Sequence, residues 1–217
     1  MIENLRKYPV YTVAGLSVYY LVGIIGLSVD RTHLLFKSLV PFTLLFSLYF
    51  TWLFHEGSGM RIYIAALSVY LAGFLIEVAG VNTGILFGEY SYGKTLGIQL
   101  WNTPLIIGVN WLILIYACHI MTGKITRNRW LRYPAGAALM VIYDLVLEPA
   151  AIRLDMWSWT GGNIPLQNYA GWFASSLVLL IIFDLVVKDV RNKIAVPLFI
   201  IQILFFLSLN IINYISG

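Results

Sequence analysis

Three acidic residues stand inside apolar stretches of this sequence, where carboxylates are costly. Asp144 and Glu148 are four residues apart, which places both on one face of a helix, and Glu77 lies in an earlier apolar stretch. An ionised carboxylate at the centre of a membrane helix costs roughly 2.5 to 3.5 kcal/mol on insertion scales. Such groups therefore usually pair with another polar group, face water or have a functional role. Because neighbouring carboxyls disfavour double ionisation, one of the pair would hold a proton at neutral pH and could act as a general acid.

Glu148 also has a purely structural explanation. It could accept hydrogen bonds from the following loop, or pair with Arg153, and so stabilise the end of its helix. Asp144 and Glu77 have no basic residue close by in the sequence, so this explanation fits them less well.

The composition indicates that the bilayer is the solvent. Of the 217 residues, 60% are hydrophobic and 11% are charged, against roughly 25% charged in a soluble domain. Since a hydrocarbon core of about 30 Å needs roughly 20 apolar residues per crossing, the length allows about seven helical spans. We therefore predict an all-α polytopic membrane helix bundle, one domain over 1–217, with spans near 9–28, 34–54, 60–80, 103–122, 133–152, 171–187 and 194–215.

The basic residues predict the orientation of these spans. One side would carry four, Arg31, Lys37, Lys94 and Arg153, and the other would carry the remaining ten of the 14. Lysine and arginine favour the cytoplasmic side, so the N-terminus is expected in the cytoplasm and the protein in the cell membrane. The basic clusters lie between apolar runs rather than along a solvated face, so no nucleic-acid partner is expected. Asp184 stands one helical turn before Lys188, which predicts a surface ion pair.

The two longest connections between spans share a pattern of spacing. Glu77 is followed thirteen residues later by Tyr90-Ser91-Tyr92, and Asp144 is followed thirteen residues later by Trp157-Ser158-Trp159. Taken singly, each ring also fits an aromatic belt at the membrane interface. A belt does not require equal spacing, however, so the pattern favours a repeated unit.

A second spacing supports the same conclusion. Trp111 and Trp172 are each preceded by a Pro-Leu pair, and the number of residues between pair and tryptophan is the same in both cases. We therefore predict parallel helix-loop-helix repeats over about 60–122 and 133–187, which would hold the first acid of each unit at equivalent depth. The two aromatic pairs would then form two walls of one pocket.

Several classes of protein lack support in the sequence. The only histidines, His33, His55 and His119, are far apart, so a membrane iron oxygenase is not expected and no metal site is predicted. The single cysteine, Cys118, lies in an apolar run and is predicted to belong to the core. The last span has no lysine for a retinal Schiff base, and no glycine-rich phosphate loop follows a strand.

With these motifs in order, the sequence resembles the membrane carotenoid hydratases of the CruF type, a family of carotenoid biosynthesis proteins. The resemblance covers about Glu77 to Trp172. It rests on Thr83-Gly84, Phe87-Gly88-Glu89-Tyr90-Ser91-Tyr92, Leu96-Gly97, Thr103-Pro104-Leu105, Trp111, Asp144-Leu145-Val146-Leu147-Glu148-Pro149, Trp157-Ser158-Trp159, Ile164-Pro165-Leu166, Asn168 and Gly171-Trp172. Tyr169 stands where the family is expected to have Phe.

The resemblance implies water addition across the terminal double bond of an acyclic carotenoid end, which gives a tertiary alcohol. The carotenoid would come from the lipid bilayer, no cofactor would be needed, and other carotenoid enzymes would be natural partners. Two alternatives stay open: a membrane carotenoid (lycopene) cyclase, which shares the protonation step, and a proton-coupled transporter that uses the acids as a relay.

Under the hydratase hypothesis, the three acids are catalytic. Asp144 would be the general acid, while Glu77 and Glu148 would hold or activate water, and these roles could be exchanged among the three. Aromatic and amide side chains in and after the two long connections would bind the substrate: Tyr90, Tyr92, Trp101, Asn102, Trp111, Trp157, Trp159, Asn168 and Trp172.

Overall fold

The computed structural model describes residues 6–57, 59–187 and 189–216, and these form eight helices. The helices are α1 Pro9–Ser28, α2 Asp30–Ser38, α3 Val40–Leu53, α4 Arg61–Thr83, α5 Ile107–Ile125, α6 Arg129–Arg153, α7 Leu166–Val186 and α8 Ala195–Ser216. Six of them are long and apolar enough to cross a membrane, and the bent pair α2–α3 makes a seventh span if it is counted as one. This confirms the predicted all-α polytopic bundle.

The second predicted span differs from the prediction because its helix is broken. α2 and α3 meet at Leu39 with a bend of 55°. Pro41 stands in the first turn of α3, where a missing N–H costs nothing, whereas the same proline inside a continuous helix would remove a hydrogen bond and clash with the preceding turn. α2 has no buried residue, so it lies on the surface of the bundle.

α5 is the central helix of the bundle. It packs against α3, α4, α6, α7 and α8, and nearly all its residues from Ile107 to Thr122 are buried. A helix that is apolar on all sides belongs in the interior. Cys118 lies on this helix and is fully buried, as predicted for a core residue.

Short strands add a feature that the helical prediction did not contain. They are β1 Tyr90–Tyr92, β2 Gln99–Leu100, β3 Thr103–Pro104 and β4 Trp157–Trp159. β1 pairs antiparallel with β4, so that Tyr90 stands opposite Trp159 and Tyr92 opposite Trp157. We call this pair of strands the aromatic ribbon.

The predicted repeat units correspond to α4 with α5 and to α6 with α7. The two tryptophans at equivalent positions, Trp111 on α5 and Trp172 on α7, stack with ring centres 4.5 Å apart and planes 17° apart. The aromatic triplets at equivalent positions pair in the ribbon. The parallel internal repeat itself stays a prediction.

The interactions of Asp184 differ from the surface pair that the sequence predicts. Lys188 lies outside the described residues, and Asp184 itself is buried. Its carboxylate lies 3.4 Å from Arg129 and 3.8 Å from Arg132, and it accepts a 2.8 Å hydrogen bond from Tyr133. This cluster joins the start of α6 to the end of α7.

Close packing of α7 against the loop after α4 gives a testable prediction about stability. A Cβ atom at Gly171 would overlap the backbone oxygen of Leu86 and lie 2.7 Å from the ring of Phe87. We expect Gly171→Ala to lower the free energy of unfolding by about 1–3 kcal/mol, because neither neighbour can move freely. Thermal unfolding of the purified protein in detergent measures this.

The matched control is Gly15→Ala in α1, where a Cβ would meet nothing within 4 Å. We expect this variant to be as stable as the wild type, or slightly more stable, because alanine favours helices over glycine. An equal loss in both variants would contradict the packing argument.

Candidate active site

The three acids predicted to be catalytic lie in one buried region near the ends of two helices. Glu77 is on α4, less than two turns before its end at Thr83, and Asp144 and Glu148 are one turn apart on α6. Their exposed fractions are 3%, 0% and 1%. Buried carboxylates need hydrogen-bond donors, and the positions of those donors define the site.

Glu77 accepts three hydrogen bonds. The hydroxyls of Tyr90 and Tyr92 each donate to its Oε2 at 2.6 Å, and the indole Nε1 of Trp111 donates to its Oε1 at 2.9 Å. An ionised carboxylate is an acceptor only, and charge-assisted bonds of this kind are short. The arrangement therefore suits an ionised Glu77.

Glu148 is held in a similar way by the other strand of the ribbon. The indole groups of Trp157 and Trp159 both donate to its Oε2 at 3.0 Å, and Asn168 Nδ2 lies 3.3 Å from its Oε1. Arg153 bonds Asn210 Oδ1 at 2.8 Å instead of Glu148. Of the two structural explanations offered for Glu148, the loop donors are therefore present and the Arg153 pair is absent.

Asp144 has fewer donors than the other two acids. Asn168 Nδ2 donates to its Oδ2 at 2.6 Å, and Oδ1 has no hydrogen-bond partner among the described residues. The same nitrogen of Asn168 therefore contacts both Asp144 and Glu148. This amide on α7 holds the two carboxyls of α6 close to each other.

Strand geometry explains why four rings point at two acids. Successive side chains of a strand point to opposite faces, so the outer residues of each triplet share one face. Ser91 and Ser158 lie on the other face, where their hydroxyls are 3.2 Å apart. The rings also pack across the ribbon, with Tyr90 and Trp159 centred 5.1 Å apart.

The hydroxyls of the ribbon stay protonated. Burial raises the pKa of both Tyr90 and Tyr92, and the negative charge of Glu77 raises the pKa further. A raised tyrosine pKa means that the neutral, donating form persists to higher pH. Both phenols are therefore donors throughout the physiological range.

A cavity of about 20 Å³ lies among these groups. One water molecule needs roughly 10 to 15 Å³ and two to four polar partners, so the cavity has room for about one. We call it the site cavity. Its walls are Glu77, Phe87, Tyr90, Tyr92, Ile107, Asn110, Glu148, Trp157, Trp159, Asn168 and Trp172.

Some predicted residues lie behind or outside this cavity. Asp144 and Trp111 do not line the cavity. Asp144 bonds Asn168, which does line it, and Trp111 donates to Glu77 and stacks on Trp172. Trp101 and Asn102 are exposed, and Asn102 bonds Asn82 at 2.9 Å. The roles assigned to all these residues stay predictions.

A second cavity, of about 130 Å³, adjoins the first and was missed by the sequence analysis. The two share Ile107, Asn110 and Trp157 as walls. Its lining comes from α1, α2, α3, α5, α6 and α8 and is mostly apolar. The feature of the sequence that points to this cavity is Gln202, a polar residue inside the last apolar run.

Comparison with known proteins agrees with these features. Residues 36–216 match the family described as carotenoid biosynthesis protein. A bisanhydrobacterioruberin hydratase of Haloarcula japonica is 33% identical over 129 residues, which are 56% of this chain and 43% of the relative. The matched region is thus less than half of that relative's length. No solved structure matches the chain.

The family match begins within α2, extends through α8 and includes the three buried acids, the aromatic ribbon and the whole lining of the site cavity. It covers well over half of the sequence, and the similar hydratase supports it independently. This membrane-helix protein therefore belongs to the carotenoid biosynthesis protein family.

Proposed function

We propose that the protein is a carotenoid hydratase of the cell membrane, which adds water across the terminal double bond of an acyclic carotenoid end group. The main support for this proposal is the site cavity. Two hydrogen-bonded carboxylates and four aromatic rings surround it, and it has space for about one water molecule. The name of the Haloarcula japonica relative, a hydratase, supports the same reaction.

The reaction begins with transfer of a proton to the terminal alkene. We assign this proton to the Asp144–Glu148 pair, because two carboxyls that share one amide donor favour a state with a single proton between them. Asp144, which has the fewest donors, holds the proton at rest. Glu148, which lines the site cavity, presents it to the substrate. This differs from the sequence hypothesis, in which Asp144 itself protonates the substrate, because Asp144 does not line the site cavity.

Protonation of the less substituted carbon of the terminal double bond leaves a tertiary cation on the more substituted carbon, which water then attacks. The faces of Tyr90, Tyr92, Trp157 and Trp159 attract such a cation through their ring quadrupoles, each by about 0.5 to 2 kcal/mol depending on desolvation. The nearby negative charge of Glu77 adds to this stabilisation.

Water then completes the reaction. A molecule in the site cavity attacks the cation and forms the carbon–oxygen bond of a tertiary alcohol. Its surplus proton passes to a carboxylate, and the acid pair regains the proton that it lost. Atoms and charge balance with water as the only co-substrate, so the scheme uses no metal and no nucleotide.

The identity of the product tests the proposal. In a bacterium that accumulates lycopene, we expect the protein to produce a more polar pigment that is heavier by one water. Mass spectrometry of pigment made in ¹⁸O-labelled water should show the label in the product. An isomer of unchanged mass would instead indicate a cyclase, and unchanged pigment with the protein present in the membrane would contradict both activities.

Removing the acids one at a time tests the mechanism. We expect Asp144→Asn, Glu148→Gln and Glu77→Gln each to lower product formation at least about a hundredfold, within the range that general acid–base catalysis contributes. Each change keeps the size of the side chain but removes its ability to exchange a proton. Pigment analysis at equal membrane content of protein measures the effect.

The matched control is Glu89→Gln. Glu89 is exposed and directly precedes the ribbon, so it is close in sequence to the site without lining the site cavity. This variant should keep wild-type activity. Full activity in any of the three acid variants would remove that acid from the mechanism.

A further inference from the structure

The larger cavity lies in the space between α1 and α3. α1 packs against α8 and α3 packs against α5, and the cavity occupies the gap that these two contacts leave. Most of its lining is aromatic or aliphatic, including Phe36, Leu44, Tyr143 and Phe205. A cavity of this kind favours an apolar ligand, because the ligand's surface packs against aliphatic and aromatic side chains.

This cavity ends at the site cavity. Ile107, Asn110 and Trp157 form part of both linings, and Trp157 is also a donor to Glu148. An elongated apolar molecule in the larger cavity therefore brings its tip to the acids and rings of the proposed active site.

Hydrogen bonds join the helices that surround the larger cavity. Ser47 Oγ donates to the backbone oxygen of Thr43 at 2.7 Å, so its oxygen is left to accept from the hydroxyl of Tyr20 at 2.8 Å. Tyr20 in turn accepts from Gln202 Nε2 at 3.0 Å. This chain of bonds joins α3, α1 and α8 and fixes their relative positions on one side of the cavity.

The cavity also reaches the outer surface of the bundle. Tyr19, Val22 and Leu39 belong to its lining, yet each is more than a third exposed. Tyr19 bounds this opening on one side, because it bridges the two helices: its hydroxyl lies 2.9 Å from Thr43 Oγ1 and its ring centre lies 4.5 Å from that of Phe46. In a membrane this surface faces lipid, so an apolar chain can enter sideways without passing through water.

We propose that this cavity is a polyene slot, which binds the terminal part of an acyclic carotenoid that enters from the bilayer between α1 and α3, one end at a time. The inference rests on the proposed function and adds the place and direction of substrate binding. From Tyr20 to the end of α1 at Ser28 is about 12 Å at 1.5 Å per residue. This is well under the roughly 30 Å thickness of the hydrocarbon core, so only one end of a long polyene fits in the slot and the rest of the chain stays in the lipid.

Filling the slot tests the proposal. Leu44 lines it, whereas the next residue, Leu45, is 48% exposed on the outside of α3. In purified full-length protein, we expect Leu44→Trp to abolish the circular dichroism induced in bound lycopene and to raise KM at least about tenfold. Leu45→Trp should change neither quantity. Gly23→Leu, which fills the slot from α1, should reproduce the effect of Leu44→Trp if the first variant proves unstable.

The outcomes separate the slot from the chemistry. Equal behaviour of the Leu44 and Leu45 variants, or product formation that slot-filling leaves unchanged, would overturn the slot. Induced dichroism that Leu44→Trp abolishes, in a wild-type protein that forms no product, would support the slot and contradict the hydratase proposal. Absence of both dichroism and product in the wild type would overturn both.

The time course with a symmetric substrate tests entry of one end at a time. With lycopene in excess, the singly hydrated product should be released and accumulate before any doubly hydrated product forms, because the second end lies in lipid while the first reacts. Chromatography of samples taken during the reaction measures this. Doubly hydrated product that appears from the start, with lycopene still in excess, would contradict entry by single ends.

Discussion

Burying carboxylates in an apolar bundle is the constraint on which the rest of this structure depends. An ionised buried carboxylate must find donors, because an unpaired carboxylate in hydrocarbon costs several kcal/mol. Glu77 and Glu148 obtain two donors each from the aromatic ribbon and a further donor from α5 or α7. The ribbon, the acids and the ends of four helices are therefore one connected unit.

This unit explains why strands occur in an otherwise helical protein. Two loops with free backbone groups would need partners at the surface of the bundle, and antiparallel pairing satisfies them. The same pairing turns four rings toward the acids. In the proposed reaction, the side chains that donate hydrogen bonds to the carboxylates also stabilise the cation, so the same residues serve the structure and the chemistry.

The two cavities separate the two substrates of the proposed reaction. The site cavity has carboxylate and amide walls and the volume of about one water, while the larger cavity is mostly apolar. They meet at Asn110 and Trp157. Such an arrangement keeps bulk water away from a reactive cation, yet allows one molecule to reach it.

The sequence by itself determined the class of the protein and the identity of most groups at the site. Apolar runs of membrane length led to the bundle, and the isolated acids with their equally spaced aromatic triplets led to a shared pocket. These features could be read because hydropathy and helical spacing are local properties of the chain. The break before α3 was less evident, although Pro41 marked it.

Tertiary structure alone decided which partner each acid has. Glu77 lies thirteen residues before Tyr90, and Asp144 lies thirteen before Trp157, yet the indoles bind Glu148 and leave Asp144 to Asn168. The antiparallel register of the ribbon and the slot between α1 and α3 likewise depend on segments far apart in the sequence. Spacing along one chain segment cannot specify such contacts, because they are set by how separate helices pack around one another.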